Sequence, residues 1–472
     1  MGRIAPSEHT MTTHHTAKPS KFRVACRQLN NSPWRSFFIR LLLITLFVYL
    51  AAWTHALNVA GIDDWLERLQ LERMDYSVNS APLDKLRLIY IEESDTLENV
   101  NGTFADEGVR QLWRRQHAKL LHELADAPRL VAFDMVFPHP LHQAENQQAD
   151  AEFGKAVSEA RTRVIVGAEV DENNQPDLAD SVKNAKWGLT QIGGFRLERG
   201  QSKGMVRRYV LAQSSLPAGR AADPQPAIPS LAVRMLLTDR SRSSPEPTSV
   251  KMDQGKKEVI LFSGTTELGR ISCDIELESH SPGSTARLLA TLPLHYPRTP
   301  EFSEEKYTQV LKRLPAAATD YRDKIILIGA QLNKEVAAST GGEKVILSPD
   351  PDRQPAYGYQ VHASVFSDLS QETYARRLSG RWQFIVLLLL GFLAGIGGKV
   401  LPKTDVEVDT KIFGTKPLPV GLVILFVIFF AMVWVFYRSE FVLFDVGYGL
   451  LAVGISYYLC GRVLGGRSRA RS

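Results

Sequence analysis

A chain of 472 residues with 44% hydrophobic residues can hold two or three domains. Its net charge of +5 at pH 7 is small, and the basic residues gather beside apolar stretches at the two ends, which argues for membrane topology and against nucleic-acid binding. The three cysteines, Cys26, Cys273 and Cys460, have no metal-ligand spacing, so a cysteine-held metal is excluded.

Residues 1–35 read as a basic cytoplasmic tail, with Arg3, Lys18, Lys21, Arg23, Arg27 and Arg35 against the single acid Glu8. His14 and His15 have no further ligands nearby and do not make a metal site. The apolar run over 36–57 contains no charge after Arg40 and, at 1.5 Å per residue, is long enough for a ~30 Å hydrocarbon core. It continues through Tyr49, Trp53 and His55, with no small-residue cleavage site, and is expected to be a retained anchor.

The next section alternates strand and helix patterns. Asp63 to Arg73 has helical spacing, Leu86 to Ile91 reads as a strand ending in Glu92-Glu93-Ser94-Asp95, and Trp113 to Ala125 reads as a helix burying Leu120, Leu121 and Leu124. Leu130 to Phe137 is an apolar strand broken only by Asp134 and stopped by Pro138. Asp150 to Ala160 is a helix and Arg163 to Ala168 a strand. This order predicts βαβ units, hence an α/β domain with a mostly parallel, mixed sheet and flanking helices. Asp171 to Gln201 and Leu237 to Gln254, rich in Asp, Asn, Pro, Ser and charge, read as loops. Gly204 to Leu211 is a strand, Pro229-Ser230 starts a short helix, and residues 256–296 hold further strands. Tyr307 to Leu314 is a short helix, Ile325 to Ala330 the closing strand, and a helix runs from Gln360 to Arg376.

Three more spans follow, at 383–400, 418–437 and 441–464. The first of them carries Gly391, Gly395, Gly397 and Gly398, suited to close helix packing. The basic tail 1–35, the loop 401–417 and the basic tail 465–472 all fall inside by the positive-inside rule, and the hairpin Arg438-Ser439-Glu440 falls outside. The domain of 58–382 is therefore expected to be extracytoplasmic, on a multi-pass protein of a bacterial inner membrane with both termini inside. On that topology only Cys273 faces the exterior, so no intramolecular disulfide is expected.

Several motifs, in order, resemble the CHASE2 family of bacterial extracytoplasmic sensor domains. They are Trp113-Arg114-Arg115-Gln116-His117, Val131 to Phe137, Asp150-Ala151-Glu152-Phe153, Gly204-Met205-Val206-Arg207-Arg208, Pro229-Ser230-Leu231-Ala232, Tyr321 to Ala330 and Gly358-Tyr359-Gln360-Val361-His362-Ala363. The resemblance covers residue 60 through the last span and implies one span, a sensor domain and three further spans. Family members commonly continue into a cyclase or kinase. Here eight residues follow Leu464, so the expected output is a separate cytoplasmic or membrane effector protein.

Ligands of open parallel sheets bind beyond the strands' carboxyl ends. The candidate ligand-binding residues are accordingly Glu92, Glu93, Trp113, Arg115, His117, Asp134, Arg207 and Gln331, with a small molecule or envelope component as the ligand. Asp134 lies inside its strand and needs a partner, for which Arg115, His117 and Arg207 are the candidates, although a purely structural pairing is the commoner case. His139 and His142 could bind zinc with Glu145, but nothing else completes a site. No phosphate loop, nucleophile elbow or HExxH occurs, so no cofactor, no metal and no enzymatic activity are expected. The expected function is a membrane-anchored sensor. A membrane scaffold with an exterior docking domain is the first alternative, and an extracytoplasmic enzyme using Asp134 the second. A homodimer fits paired spans, though no heptad pattern argues for one.

Overall fold

The computed structural model describes residues 33–53, 83–171, 174–190, 208–215, 224–242, 244, 246–278, 287–293, 302–314, 316, 318–332, 344–345, 356–378, 380–400, 405–406, 418–440, 442–443 and 446–465. They form two compact units, one of apolar helices and one a folded domain. The expected helix at Asp63–Arg73 lies outside the described residues.

The domain is built on a six-stranded sheet that is parallel throughout. Its strands are β1 (Leu86–Glu92), β2 (Leu130–Val136), β3 (Arg163–Ala168), β4 (Lys186–Leu189), β12 (Glu304–Lys306) and β13 (Ile325–Gln331), in the spatial order β12-β1-β13-β2-β3-β4. The last long strand of the chain thus lies at the centre, paired with β1 and β2. It is fully apolar over Ile325–Ile328, as a strand buried on both faces must be.

Alternation along these strands divides two cores. Leu86, Leu88, Leu130, Ala132, Ile165, Ile325 and Leu327 point to one side. Ile89, Ile91, Val131, Phe133, Val164, Val166, Ile326 and Ile328 point to the other. The second side is covered by α2 (Glu107–Leu124), α3 (Ala144–Glu159) and α5 (Tyr307–Arg313). The first is covered by α4 (Leu231–Arg240) and α6 (Gly358–Gln371), and α4 is buried nearly all round because a second sheet closes over it.

That second sheet has seven strands and is antiparallel. It comprises β5 (Arg208–Ser215), β6 (Gln225–Pro229), β7 (Thr248–Asp253), β8 (Glu258–Ser263), β9 (Thr266–Ser272), β10 (Asp274–Glu278) and β11 (Arg287–Pro293), in the order β10-β11-β5-β6-β7-β8-β9. This corrects the expected single mixed sheet: parallel and antiparallel pairings segregate into two sheets with α4 between them. It also corrects the loop reading of 237–254, where α4 continues to Arg240 and β7 begins at Thr248. In β7, Val250 and Met252 are buried while Ser249 and Lys251 are exposed, a period-two pattern hidden by the polar residues around it. The segment 171–201 likewise contains strand β4.

In the other unit, α1 (Pro33–Trp53), α7 (Gly380–Val400) and α9 (Val446–Gly465) pack together; α8 (Val420–Glu440) is the remaining long apolar helix. The residues expected to form a hairpin, Arg438–Glu440, are the last turn of α8. Among the described residues, α1 and α7 contain stretches long and apolar enough to cross a membrane, and the described apolar stretches Gly421–Phe436 and Val446–Cys460 are shorter. A Cβ on Gly391 would come within 2.8 Å of Leu41 and 2.9 Å of Ser456, and one on Gly395 within 2.7 Å of Phe37 and 3.0 Å of Cys460. The glycines of α7 therefore admit α1 and α9 on the same turns.

Candidate functional site

Among the described residues, the sequence-derived candidates do not form one pocket. They separate into clusters divided by the parallel sheet.

At the carboxyl ends of β1 and β13, Glu92 and Gln331 are register partners. The Glu93 N–H donates to the Gln331 carbonyl at 3.2 Å. Lys306, from β12, reaches Glu92 at 2.6 Å and Asp95 at 3.0 Å, and these hydrogen bonds raise its pKa. Gln331 Nε2 donates to the Tyr359 hydroxyl at 2.9 Å, and that hydroxyl donates to Glu304 at 3.3 Å. Gln360 Nε2 donates to the other oxygen of Glu304 at 2.7 Å, while its own carbonyl accepts the Tyr357 N–H. The first turn of α6 is thereby tied to the ends of β12 and β13. It can come so close because β13 has Gly329 there; a Cβ would overlap Cβ and Cγ of Tyr359. Burial, then the Glu304 carboxylate, pushes the Tyr359 phenol well up, so it stays a donor.

One turn along α6, His362 is fully buried. Its Nε2 faces Asp134 Oδ1 at 3.3 Å and the Thr190 carbonyl at 3.2 Å. A carboxylate and a carbonyl both accept, so Nε2 carries the proton and, in the neutral ring, Nδ1 accepts from the Tyr209 hydroxyl at 2.6 Å. That hydroxyl also receives the Ala232 N–H at the start of α4, at 3.3 Å, and burial pushes its pKa well up. Asp134 thus has a partner other than Arg115 and His117, two of the three expected; the third, Arg207, lies outside the described residues. Alternation puts Asp134 on the Leu130 and Ala132 side of β2, facing α6. His117 packs edge-on to Phe133 and Phe137 on the opposite side. Asp134 also sits where the register of β2 against β3 slips, between Phe133 and Val136.

His117 belongs to the far core. Its Nδ1 lies 2.9 Å from the Tyr307 hydroxyl, and burial first, then the Arg114 guanidinium, lowers its pKa to about 3. Trp113 is buried edge-on to Phe104 and Tyr307. Arg115 is half-exposed and pairs with Glu152 at 3.4 Å on the surface. The buried arginine is its neighbour Arg114, which bonds Asp150 and donates to the Pro138 carbonyl at 2.5 Å. Arg207 lies outside the described residues. No group of three or more His, Cys, Asp or Glu among the described residues is placed to hold a metal.

His362, Tyr209, Glu304, Lys306 and Arg114 are not among the sequence-derived candidates. A signal for His362 existed: Tyr359, His362, Phe366 and Leu369 fall at helical spacing on one apolar face, where a histidine must find a buried partner.

A parallel α/β layer roofed by an antiparallel sheet, with the C-terminal helix of the domain bonded to both polar clusters, defines an α/β domain flanked by apolar helices. The chain belongs to the CHASE2 domain family of extracytoplasmic sensor domains, whose family model matches residues 41–397. The match begins inside α1 and ends inside α7, so it takes in the domain and part of each adjoining apolar helix. Comparison with the curated proteins and with the solved structures gives no match.

Proposed function

We propose that the protein is a non-enzymatic, membrane-anchored sensor in which α6 carries the state of the parallel sheet's carboxyl edge into the apolar helices and on to an effector protein. The observation that carries this reading is the double attachment of α6. Tyr359 and Gln360 bind Gln331 and Glu304, and His362 binds Asp134 and Tyr209, on a helix that ends at Gln371, shortly before α7 begins at Gly380. A ligand that displaced Gln331, Glu304 or Lys306 would break bonds to the first turn of α6. Glu92, Glu93 and Gln331, with Glu304, Lys306 and Tyr359, are the residues assigned to that ligand.

Four spans, both termini inside and the domain outside complete the reading. The basic tails and the Lys-rich loop before α8 support it. So does the parallel pairing of Arg376–Arg377, just before α7, with Val442–Leu443, between α8 and α9, which fits two segments that share one side of a membrane. The scaffold alternative draws less support, because Gly391 and Gly395 are occupied by Leu41, Phe37, Ser456 and Cys460 of the same chain. The enzyme alternative draws none from Asp134, His362 and Tyr209, whose burial keeps substrate from them.

Purification of the tagged protein from its own cells in mild detergent, with mass spectrometry, tests the reading. A stoichiometric kinase, cyclase or comparable effector is the expected result. Recovery of envelope proteins alone would replace it with the scaffold.

A further inference from the structure

The two edges of the parallel sheet carry opposite charge. Among the described residues, the carboxyl edge holds Glu92, Glu93 and Asp95 around the single cation Lys306, with Glu304 reaching toward it from the start of β12. At the amino edge, Lys85, Arg129 and Lys324 immediately precede β1, β2 and β13, and β3 and β4 open on Arg163 and Lys186. The acids at this edge are Asp84, Asp126, Asp239 and Asp323; Asp239 takes both Lys85 and Arg129, and Asp323 pairs with Arg242 at 3.3 Å. Among the described residues, no carboxylate is in hydrogen-bond contact with Arg163, which instead donates to the Thr238, Ser241 and Arg242 carbonyls at the end of α4. The cations are close enough to oppose one another's charge: after burial, Arg242 lowers the pKa of Arg163, and Arg163 that of Lys186. Arg161, Lys186, Arg242 and Arg322 are exposed at this edge.

The same edge is where the chain leaves the domain. Because α6 begins over Gly329 at the carboxyl end of β13, its far end lies at the amino edge, where its C-cap Glu372 pairs with Arg240 of α4 at 3.7 Å. From Glu372 to Gly380, a fully extended chain spans at most ~28 Å. That passage contains Arg376 and Arg377, and α7 opens with Arg381 and a 60% exposed Trp382, residues suited to a lipid headgroup zone.

We propose that the amino edge of the parallel sheet is a membrane-facing surface that binds the headgroups of anionic phospholipids. The proposal rests on the reading that α7 enters a membrane. Attraction of clustered Lys and Arg to an anionic leaflet acts over a Debye length, so it requires the edge to lie close to the headgroups and makes the contact salt-sensitive. It would orient the domain with its amino edge down and its carboxyl edge open to the exterior.

The test uses the full chain in nanodiscs of phosphatidylcholine alone or mixed with phosphatidylglycerol, with a nitroxide on the headgroup of a tracer lipid. A bimane is attached through Glu159→Cys, exposed beside the amino edge, or through Glu98→Cys, exposed beyond the carboxyl edge, in a Cys26→Ser, Cys273→Ser background. Expected is quenching at position 159 that rises with phosphatidylglycerol, falls with added salt and drops to the zwitterionic level in Arg161→Glu, Lys186→Glu, Arg322→Glu, with position 98 unquenched throughout. Equal quenching in the two lipid mixtures, no quenching in either, or equal quenching at both positions would overturn it. An impermeant maleimide applied to intact spheroplasts carrying Glu98→Cys separately reports the side of the membrane. Failure of labelling there would strike the extracytoplasmic reading and leave the headgroup result standing.

Discussion

His362 faces Asp134 across 3.3 Å with one ring nitrogen and Tyr209 across 2.6 Å with the other, so one side chain of α6 joins the parallel sheet to the antiparallel one. Its replacement by Ala leaves a buried carboxylate and a buried phenol without their common partner. The expected cost is about 3–5 kcal/mol, against roughly 1–3 kcal/mol for Asp134→Asn, which keeps an acceptor. Chemical unfolding of the full chain in detergent, followed by near-ultraviolet circular dichroism, measures both. Equal and small effects would mean that the pair holds nothing together.

Gly329 sets how close α6 lies to β13. Gly329→Ala must push Tyr359 and the helix start away, at a cost of about 1–3 kcal/mol. The Gln331–Tyr359 hydrogen bond should break with it, visible as faster amide exchange over the first turn of α6. An unchanged exchange profile would show that the helix has slack at this point.

The buried His117 gives the domain an acid-sensitive core. Its pKa of about 3 in the folded chain lies below the ordinary 6.5, so unfolding takes up a proton between those values. The stability gained by keeping it neutral is complete above about pH 6.5 and declines as pH falls toward 3, by up to about 1.4 kcal/mol per unit. His117→Phe should flatten that limb of the stability profile in urea titrations at successive pH values. An equally steep limb in the variant would assign it to other groups.

Within the apolar helices, Gly395 faces Cys460. Gly395→Cys in a Cys26→Ser, Cys273→Ser background should form a disulfide between the introduced thiol and Cys460 on oxidation of native membranes. The 3.0 Å between the Cβ built on Gly395 and the Cβ of Cys460 needs only a small outward shift to reach bonding geometry. Mass-spectrometric recovery of the linked peptides checks this. Free thiols after oxidation would contradict the packing of α7 on α9.

The strands of the parallel sheet were legible because their apolar runs are nearly continuous; Arg163–Ala168 carries the same bounds in sequence and structure. The antiparallel sheet was not recognised as separate, since its strands are half polar and their turns rest on single residues such as Gly264, at φ 58°. Within α2 the choice between two adjacent arginines was open to a helical-period argument that would have favoured the other one. Arg114, His117 and Leu121 share a buried face, and Arg115 points away from it. The partner of Asp134 could not be read locally, because His362 is distant in sequence and reaches it only after β13 inserts at the centre of the sheet.

Coupling of the carboxyl edge to α7 through α6 is read out by hydrogen exchange of the full chain in nanodiscs, comparing the native sequence with Glu304→Ala. Loss of Glu304 frees Tyr359 and Gln360 from β12, and faster exchange is expected along Gly358–Gln371 and into the first turns after Gly380, with β1, β2 and β13 unchanged. Changes confined to Glu304–Lys306 would contradict it.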